Sequence, residues 1–406
     1  MVQLNNTFKQ LAIRDDSAPR SRSLPTARAK SSTSSSPTNA TSTLDPSTRS
    51  LLTVLSHLTS TLRRSNQFTP TLQHVKSLLY NKEYLQAFGT VGEEGERWRE
   101  VYFARWTPAR AVLYERAFKE LRIASLLGYR QPETDIVDDD TREVSEQRRK
   151  REEKASKSLS TATTIQSETS QVNDVIMVGA GAGAELVALG CILGNSTRSE
   201  LAPTRPKIRI QAIDQGSWGT LVHKMDQGMQ TEWPTLTRDT LQVDFVEGDL
   251  LSAYSTTEPS STTSSPSAPP PLKLDLSSPR LKLVTICFTI TELLLQSRVS
   301  TLRFLSTLTA SAPRGLHLLI IESASLALIP IGTSGRTYPL GQLLDHALTG
   351  GGDGGKWEIV ESEEAKWFRM PPGAEEVYNQ EVEDSGKGIK VKLENSRVVL
   401  RYYRKL

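Results

Sequence analysis

Apolar residues recur along this chain in two rhythms. Leu51, Leu52, Val54, Leu55, Leu58 and Leu62 fall at helical spacing, and Leu72, Val75, Leu78 and Leu79 repeat the pattern, so the chain is predicted helical from about Ser47 to Tyr129. Within that stretch Thr107-Pro108 reads as a helix start, with the threonine as N-cap and the proline at the first helical position. The helix it begins runs from Ala109 to Leu127, stops at Gly128, and buries a stripe of Val112, Leu113, Ala117, Leu121 and Ala124. Farther on the rhythm shortens. Val175 to Val178, Ile208 to Ile213, Gln242 to Val246, Leu281 to Phe288, Gly315 to Glu322, Trp357 to Glu361 and Arg397 to Tyr403 read as seven strands. Helical stretches alternate with most of them, which predicts a mostly parallel, doubly wound α/β sheet behind an N-terminal helical extension.

Three polar stretches break the pattern. Residues 1 to about 47 are rich in Ser, Thr, Pro and Arg and lack periodicity, so they are predicted to be a disordered, mildly basic tail. The charged run Asp138 to Lys157 and the Ser/Thr-rich run that follows make a linker over 131–172. A second low-complexity insert, containing Pro269-Pro270-Pro271, spans about 252–280 and is expected to be a surface loop.

The strongest local signal is Val175-Ile176-Met177-Val178-Gly179-Ala180-Gly181-Ala182-Gly183-Ala184-Glu185. An apolar strand ends in alternating glycines and passes into a small-residue helix, Glu185 to Leu193. Glycines permit a tight turn and leave no Cβ between backbone and ligand, while the helix start offers unpaired N–H groups. Gly179, Ala180, Gly181 and Gly183 are therefore candidate cofactor residues. The spacing satisfies both the dinucleotide fingerprint and the turn that holds S-adenosylmethionine (SAM), so a nicotinamide-dependent oxidoreductase stays open at this point.

Two acids sharpen that reading. Asp214 ends the second predicted strand on the same sheet edge, where a carboxylate accepts hydrogen bonds from both ribose hydroxyls. Asp249, after the third strand, is suited to the exocyclic amine of adenine. Glu185 stands in the first helical turn, where it suits the macrodipole or the amino group of methionine. At the end of the fourth strand, Thr289, Thr291 and Glu292 are placed to meet an acceptor, with Glu292 as candidate base. Cys287 has nothing basic beside it and reads as core.

Composition narrows the class only slightly. The 406 residues carry a net charge of +3, too small to announce a nucleic-acid partner, so basic residues must be clustered if RNA is bound. Cys191 and Cys287 fall in apolar segments and suggest a reducing compartment. Five scattered histidines lack ligand spacing, and no metal site is expected. No apolar run is long enough to span a bilayer, and no signal-peptide core is visible; cytoplasm or nucleus is the expected location.

Four segments together resemble a known family. They are Lys76-Ser77-Leu78-Leu79-Tyr80-Asn81-Lys82-Glu83-Tyr84-Leu85-Gln86-Ala87-Phe88-Gly89, Tyr102-Phe103-Ala104-Arg105-Trp106-Thr107-Pro108-Ala109-Arg110-Ala111, the glycine turn, and Phe288-Thr289-Ile290-Thr291-Glu292-Leu293. The chain from roughly 70 to 406, apart from its low-complexity stretches, is similar to the fungal SAM-dependent methyltransferases that modify 25S ribosomal RNA at uridine N3. The resemblance implies a class I methyltransferase (Rossmann-like) fold, SAM as donor and large-subunit rRNA or a pre-ribosomal particle as partner. A monomer in the nucleus, nucleolus or cytoplasm is expected. Met177 departs from the usual pattern, in which an acidic residue often ends the first strand. On this reading Trp106, Tyr102 or Phe288 stacks on the uracil, and Arg105 and Arg110 hold RNA phosphates. A protein or small-molecule methyltransferase and a non-catalytic assembly factor are the alternatives.

Overall fold

The computed structural model describes residues 44–129, 172–196, 206–255, 272, 274–331, 336–350 and 356–406. The tail through residue 43, the linker at 130–171 and most of the proline-containing insert lie outside the described residues.

The seven expected strands are present as β1 (Val172–Val178), β2 (Lys207–Asp214), β3 (Leu241–Glu247), β4 (Leu281–Cys287), β5 (His317–Ser323), β8 (Trp357–Phe368) and β9 (Ser396–Lys405). They form one sheet in the order β3-β2-β1-β4-β5-β9-β8. The first five are parallel, and β9 runs antiparallel to both β5 and β8. The chain reverses its direction of strand addition at β1/β4, which puts a crevice outside the carboxyl ends of those strands. A short hairpin of β6 (Leu328–Ile331) and β7 (Arg336–Pro339) lies apart from this sheet and was not foreseen.

β1 shows why a parallel strand reads as an unbroken apolar run: both its faces are covered. Val175 and Met177 enter one core, while Ile176 and Val178 enter the other. The first core is closed by α1 (Pro46–Arg63), α2 (Phe68–Tyr80), α4 (Gly92–Glu120), α6 (Ala184–Gly194), α7 (Gly219–Glu232) and α11 (Ala374–Asp384). The second is closed by α8 (Ile290–Gln296), α9 (Arg298–Ser311) and α10 (Leu340–Thr349). Two short helices, α3 (Tyr84–Gly89) and α5 (Ile123–Leu126), flank α4. The helical extension is thus part of the main core.

Three expectations about boundaries are corrected. Thr107-Pro108 does not start a helix: α4 runs unbroken through Pro108 from Gly92 to Glu120. An internal proline normally leaves the carbonyl four residues back without its donor. Here that carbonyl belongs to Ala104, and the buried hydroxyl of Tyr378 on α11 donates to it at 2.8 Å. Thr107, freed from capping, donates its hydroxyl to the carbonyl of Ala182 in the glycine turn at 2.9 Å. At its other end α4 stops at Leu121, and Arg122 takes a left-handed conformation before α5. The insert expected to reach about residue 280 is shorter, because Leu272 and Leu276 are buried in the second core and the Ser278 hydroxyl reaches Asp174. Finally, β8 runs well past Glu361 as a charged edge strand.

The proline compensation yields a prediction. Tyr378→Phe keeps the ring but leaves the Ala104 carbonyl and the Thr59 hydroxyl without this partner. The expected loss of stability is about 1–3 kcal/mol, read from urea unfolding. An unchanged midpoint would show that α4 tolerates Pro108 unaided.

Candidate active site at the glycine turn

The site is built at the carboxyl ends of β1, β2, β4 and β5. Gly179 leaves β1 with a φ of +72°, and Gly183 starts α6 with a φ of +66°. Both conformations suit glycine. A Cβ on Gly179 would lie 2.1 Å from the Thr289 hydroxyl, and one on Gly181 would lie 2.1 Å from the Trp218 ring. The turn is therefore a close-fitting cradle.

Asp214 closes one side. Its Oδ2 accepts from the Gly181 amide at 3.0 Å, and its Oδ1 accepts from the Gly216 amide at 2.8 Å and the Trp218 indole at 3.2 Å. Burial raises its pKa, and these donors oppose the rise. Ala180 is buried in the turn. Asp249 stands after β3 as expected, but its Oδ1 accepts from the Leu251 amide at 2.9 Å and caps the turn there.

Segments of the extension wall the cradle. The Ser217 amide donates to the carbonyl of Phe88, and Arg99 holds that same carbonyl together with that of Thr90. Phe88, Tyr102 and Trp218 pack as an aromatic cluster with centroids 4.9–5.9 Å apart, and Trp106 adds to it at 4.7 Å from Tyr102. Phe88 thereby packs the Tyr84-to-Gly89 segment against the Gly216-to-Trp218 loop that follows β2.

A group of carboxylates lies beneath. Glu185 is 3% exposed, and its Oε1 is buried without a hydrogen bond. Burial pushes its pKa up to about 7, opposed by the Cys287 thiol and the Thr285 hydroxyl. Glu292, in the first turn of α8, is likewise raised to about 7, by burial and then by the charge of Asp214. It accepts a hydrogen bond from Gln296 at 3.1 Å. Glu322 at the end of β5 was missed, although a lone acid closing an apolar strand marked it. It accepts from the amides of Thr291 (3.1 Å) and Ser323 (2.8 Å), and so fixes the start of α8. Thr289 packs against Gly179, and its hydroxyl donates to the Cys287 carbonyl. Cys287 is buried core, with its thiol pKa pushed far up.

The expected phosphate-holding residues separate. Arg105 departs from that expectation, because its guanidinium pairs with Glu394 and donates to the Lys392 carbonyl, tying α4 to the segment before β9. Trp106 packs against Tyr102 beside it, the rings tilted by 34°. Arg110 also departs from it: its guanidinium lies over the Phe288 ring, 4.9 Å from the centroid, and donates to the Tyr102 hydroxyl at 2.7 Å. Phe288 holds a φ of +55°, uncommon outside glycine, which turns the chain off β4 at this point. Among the described residues there is no cluster of metal-ligating side chains, and no helix is long and apolar enough to cross a membrane.

Comparison with known proteins decides the chemistry. A family model described as "Putative SAM-dependent methyltransferase" matches residues 55–404. The chain belongs to that family. It is 28% identical over 322 residues to the Saccharomyces cerevisiae 25S rRNA (uridine(2843)-N(3))-methyltransferase, covering 75% of this chain and 72% of the relative. Among solved structures it is similar to a SAM-dependent methyltransferase of Methanosarcina mazei (11% identity, TM-score 0.30, 59% of this chain and 94% of that one). It is also similar to the N-methyltransferase NodS of Bradyrhizobium japonicum bound to S-adenosylhomocysteine (12%, 0.26, 58% and 79%). The open choice between nicotinamide and SAM is settled for SAM, and the class I strand order agrees. The cradle, the Asp214 carboxylate and the unsatisfied oxygen of Glu185 all fit such a group.

The buried acid has a measurable consequence. The fold favours protonated Glu185, so its contribution to stability is fully present below about pH 4.5 and is lost as pH rises through about 7. Glu185→Gln is expected to flatten this fall by up to about 3 kcal/mol, from urea midpoints at about pH 5 and pH 8. An identical pH dependence in the variant would place the titration elsewhere.

Proposed function

We propose that this chain transfers the SAM methyl group to N3 of a uridine in large-subunit ribosomal RNA. The observation that carries the reading is the 28% identity with the yeast enzyme, which extends over three quarters of the chain. On this reading the chain works as a monomer on pre-ribosomal large subunits in the nucleus, nucleolus or cytoplasm. Gly179, Ala180, Gly181, Gly183, Asp214 and Asp249 hold the cofactor, which supplies an electrophilic methyl group.

Uridine N3 carries a proton and lies on the Watson–Crick edge, so the base must be unpaired and its proton removed. Glu292 is suited to take that proton: burial and neighbouring carboxylates give it an affinity near neutrality, and Glu322 fixes the helix start that holds it. Thr289 and Thr291 shape the same floor. Trp106 and Tyr102 supply aromatic surface for a splayed base. Arg105 contributes by seating α4, through Glu394.

In a yeast strain lacking that relative, this chain is expected to restore N3-methyluridine in 25S rRNA, read by nucleoside mass spectrometry. The Asp214→Ala chain, expressed equally, is expected not to. Failure of the intact chain to restore the mark sinks the assignment.

A second expectation concerns pH. Glu292 is ionised above about pH 7 and can then accept a proton, so kcat/KM rises with pH up to that value. In Glu292→Gln this limb disappears and the rate falls by about 10²–10⁴-fold. A retained limb removes Glu292 as the base.

A further inference from the structure

The cleft holds a cation, Arg110, and an acid, Glu185, that the fold leaves without a matching partner. Among the described residues Arg110 makes no ion pair, and its hydrogen bond goes to the neutral Tyr102 hydroxyl. Its guanidinium has five donors, so most of them are left for a ligand. Across from it Glu185 is buried with an oxygen that nothing satisfies. The positive charge of Arg110 opposes the rise in the Glu185 pKa. Glu322, the other acid near Arg110, already has both oxygens engaged by amides and needs no cation.

The position of Arg110 is fixed on three sides. Thr107, one helical turn earlier, is bonded to Ala182 in the glycine turn; Tyr102 holds one end of the guanidinium; Phe288 supports its face. The strained backbone of Phe288 is what puts that ring under it. Leaving a buried carboxylate oxygen without a donor costs about 1–3 kcal/mol, and the cost is recovered when a donor arrives.

We propose that Arg110 and Glu185 form a clamp for the zwitterionic end of the cofactor, Arg110 binding the α-carboxylate and Glu185 the α-ammonium of the methionine part. An anion and a cation two bonds apart match the Arg110 cation, held to the glycine turn through Thr107, and the Glu185 acid of the helix that this turn starts. This assigns Arg110 to the donor half of the cleft and withdraws it from the RNA phosphates. The inference rests on the family's cofactor and is independent of which RNA position is methylated.

Calorimetry on the full-length chain without RNA tests it. S-adenosylhomocysteine carries the amino-acid end; 5′-methylthioadenosine lacks it. Arg110→Gln and Glu185→Gln are each expected to weaken S-adenosylhomocysteine by about 10- to 100-fold while leaving methylthioadenosine within about twofold, and Arg110→Lys is expected to recover part of the loss. On the unaltered chain, decarboxylated SAM is expected to bind about 10-fold or more weaker than SAM, a comparison that needs no variant to fold. Equal binding of SAM and decarboxylated SAM overturns the carboxylate assignment. So does an Arg110→Gln chain that binds S-adenosylhomocysteine normally and loses affinity only for RNA.

Discussion

One hydrogen bond, from the Thr107 hydroxyl to the Ala182 carbonyl, sets the distance between the helical extension and the glycine turn. Around it α4 lies against α6, and the buried faces of the two helices merge into one core with the sheet. Arg110 and Tyr114 come one and two turns after Thr107, and Tyr102 and Trp106 come just before it. The register of α4 therefore decides which side chains meet the cleft. A methyltransferase sheet supplies a ledge; in this chain the extension supplies the wall.

Charge follows from that enclosure. Asp214, Glu185, Glu292 and Glu322 are gathered at one sheet edge, and burial raises the pKa of each. In open water four carboxylates would ionise independently and repel. Within the fold they sort by partner. Asp214 and Glu322 are held by backbone amides, whereas Glu185 keeps an oxygen free and Glu292 accepts only from the Gln296 side-chain amide. The acids left with spare capacity stand where a cation and a transferable proton are to be handled.

The sheet was legible because its signals are local. β1 is apolar throughout since both faces are covered, and the glycines of the turn are required by positive φ and by contacts that a Cβ would violate. Asp214 was readable from its place at a strand end. What escaped depended on contacts remote in sequence. Thr107-Pro108 looks like a helix start until Tyr378, some 270 residues on, satisfies the Ala104 carbonyl. Arg105 and Arg110 looked alike as holders of phosphate, and only Glu394 and Phe288 tell apart a tie to the segment before β9 and a guanidinium laid over a ring. β8 was cut short because an edge strand carries charge on both faces, which leaves no alternation to read. Glu322 was visible in the sequence; its role became plain only through the Thr291 amide.

The bond from Tyr378 to α4 also constrains the order of events during synthesis. The extension leaves the ribosome early, yet Arg63, Thr59 and Ala104 find their partners at Tyr378 and Asn379. These particular polar groups of the N-terminal helices are matched only once α11 has been made and has docked. A chain broken off before α11 leaves Arg63 buried among the first helices without its Asn379 and Tyr378 acceptors.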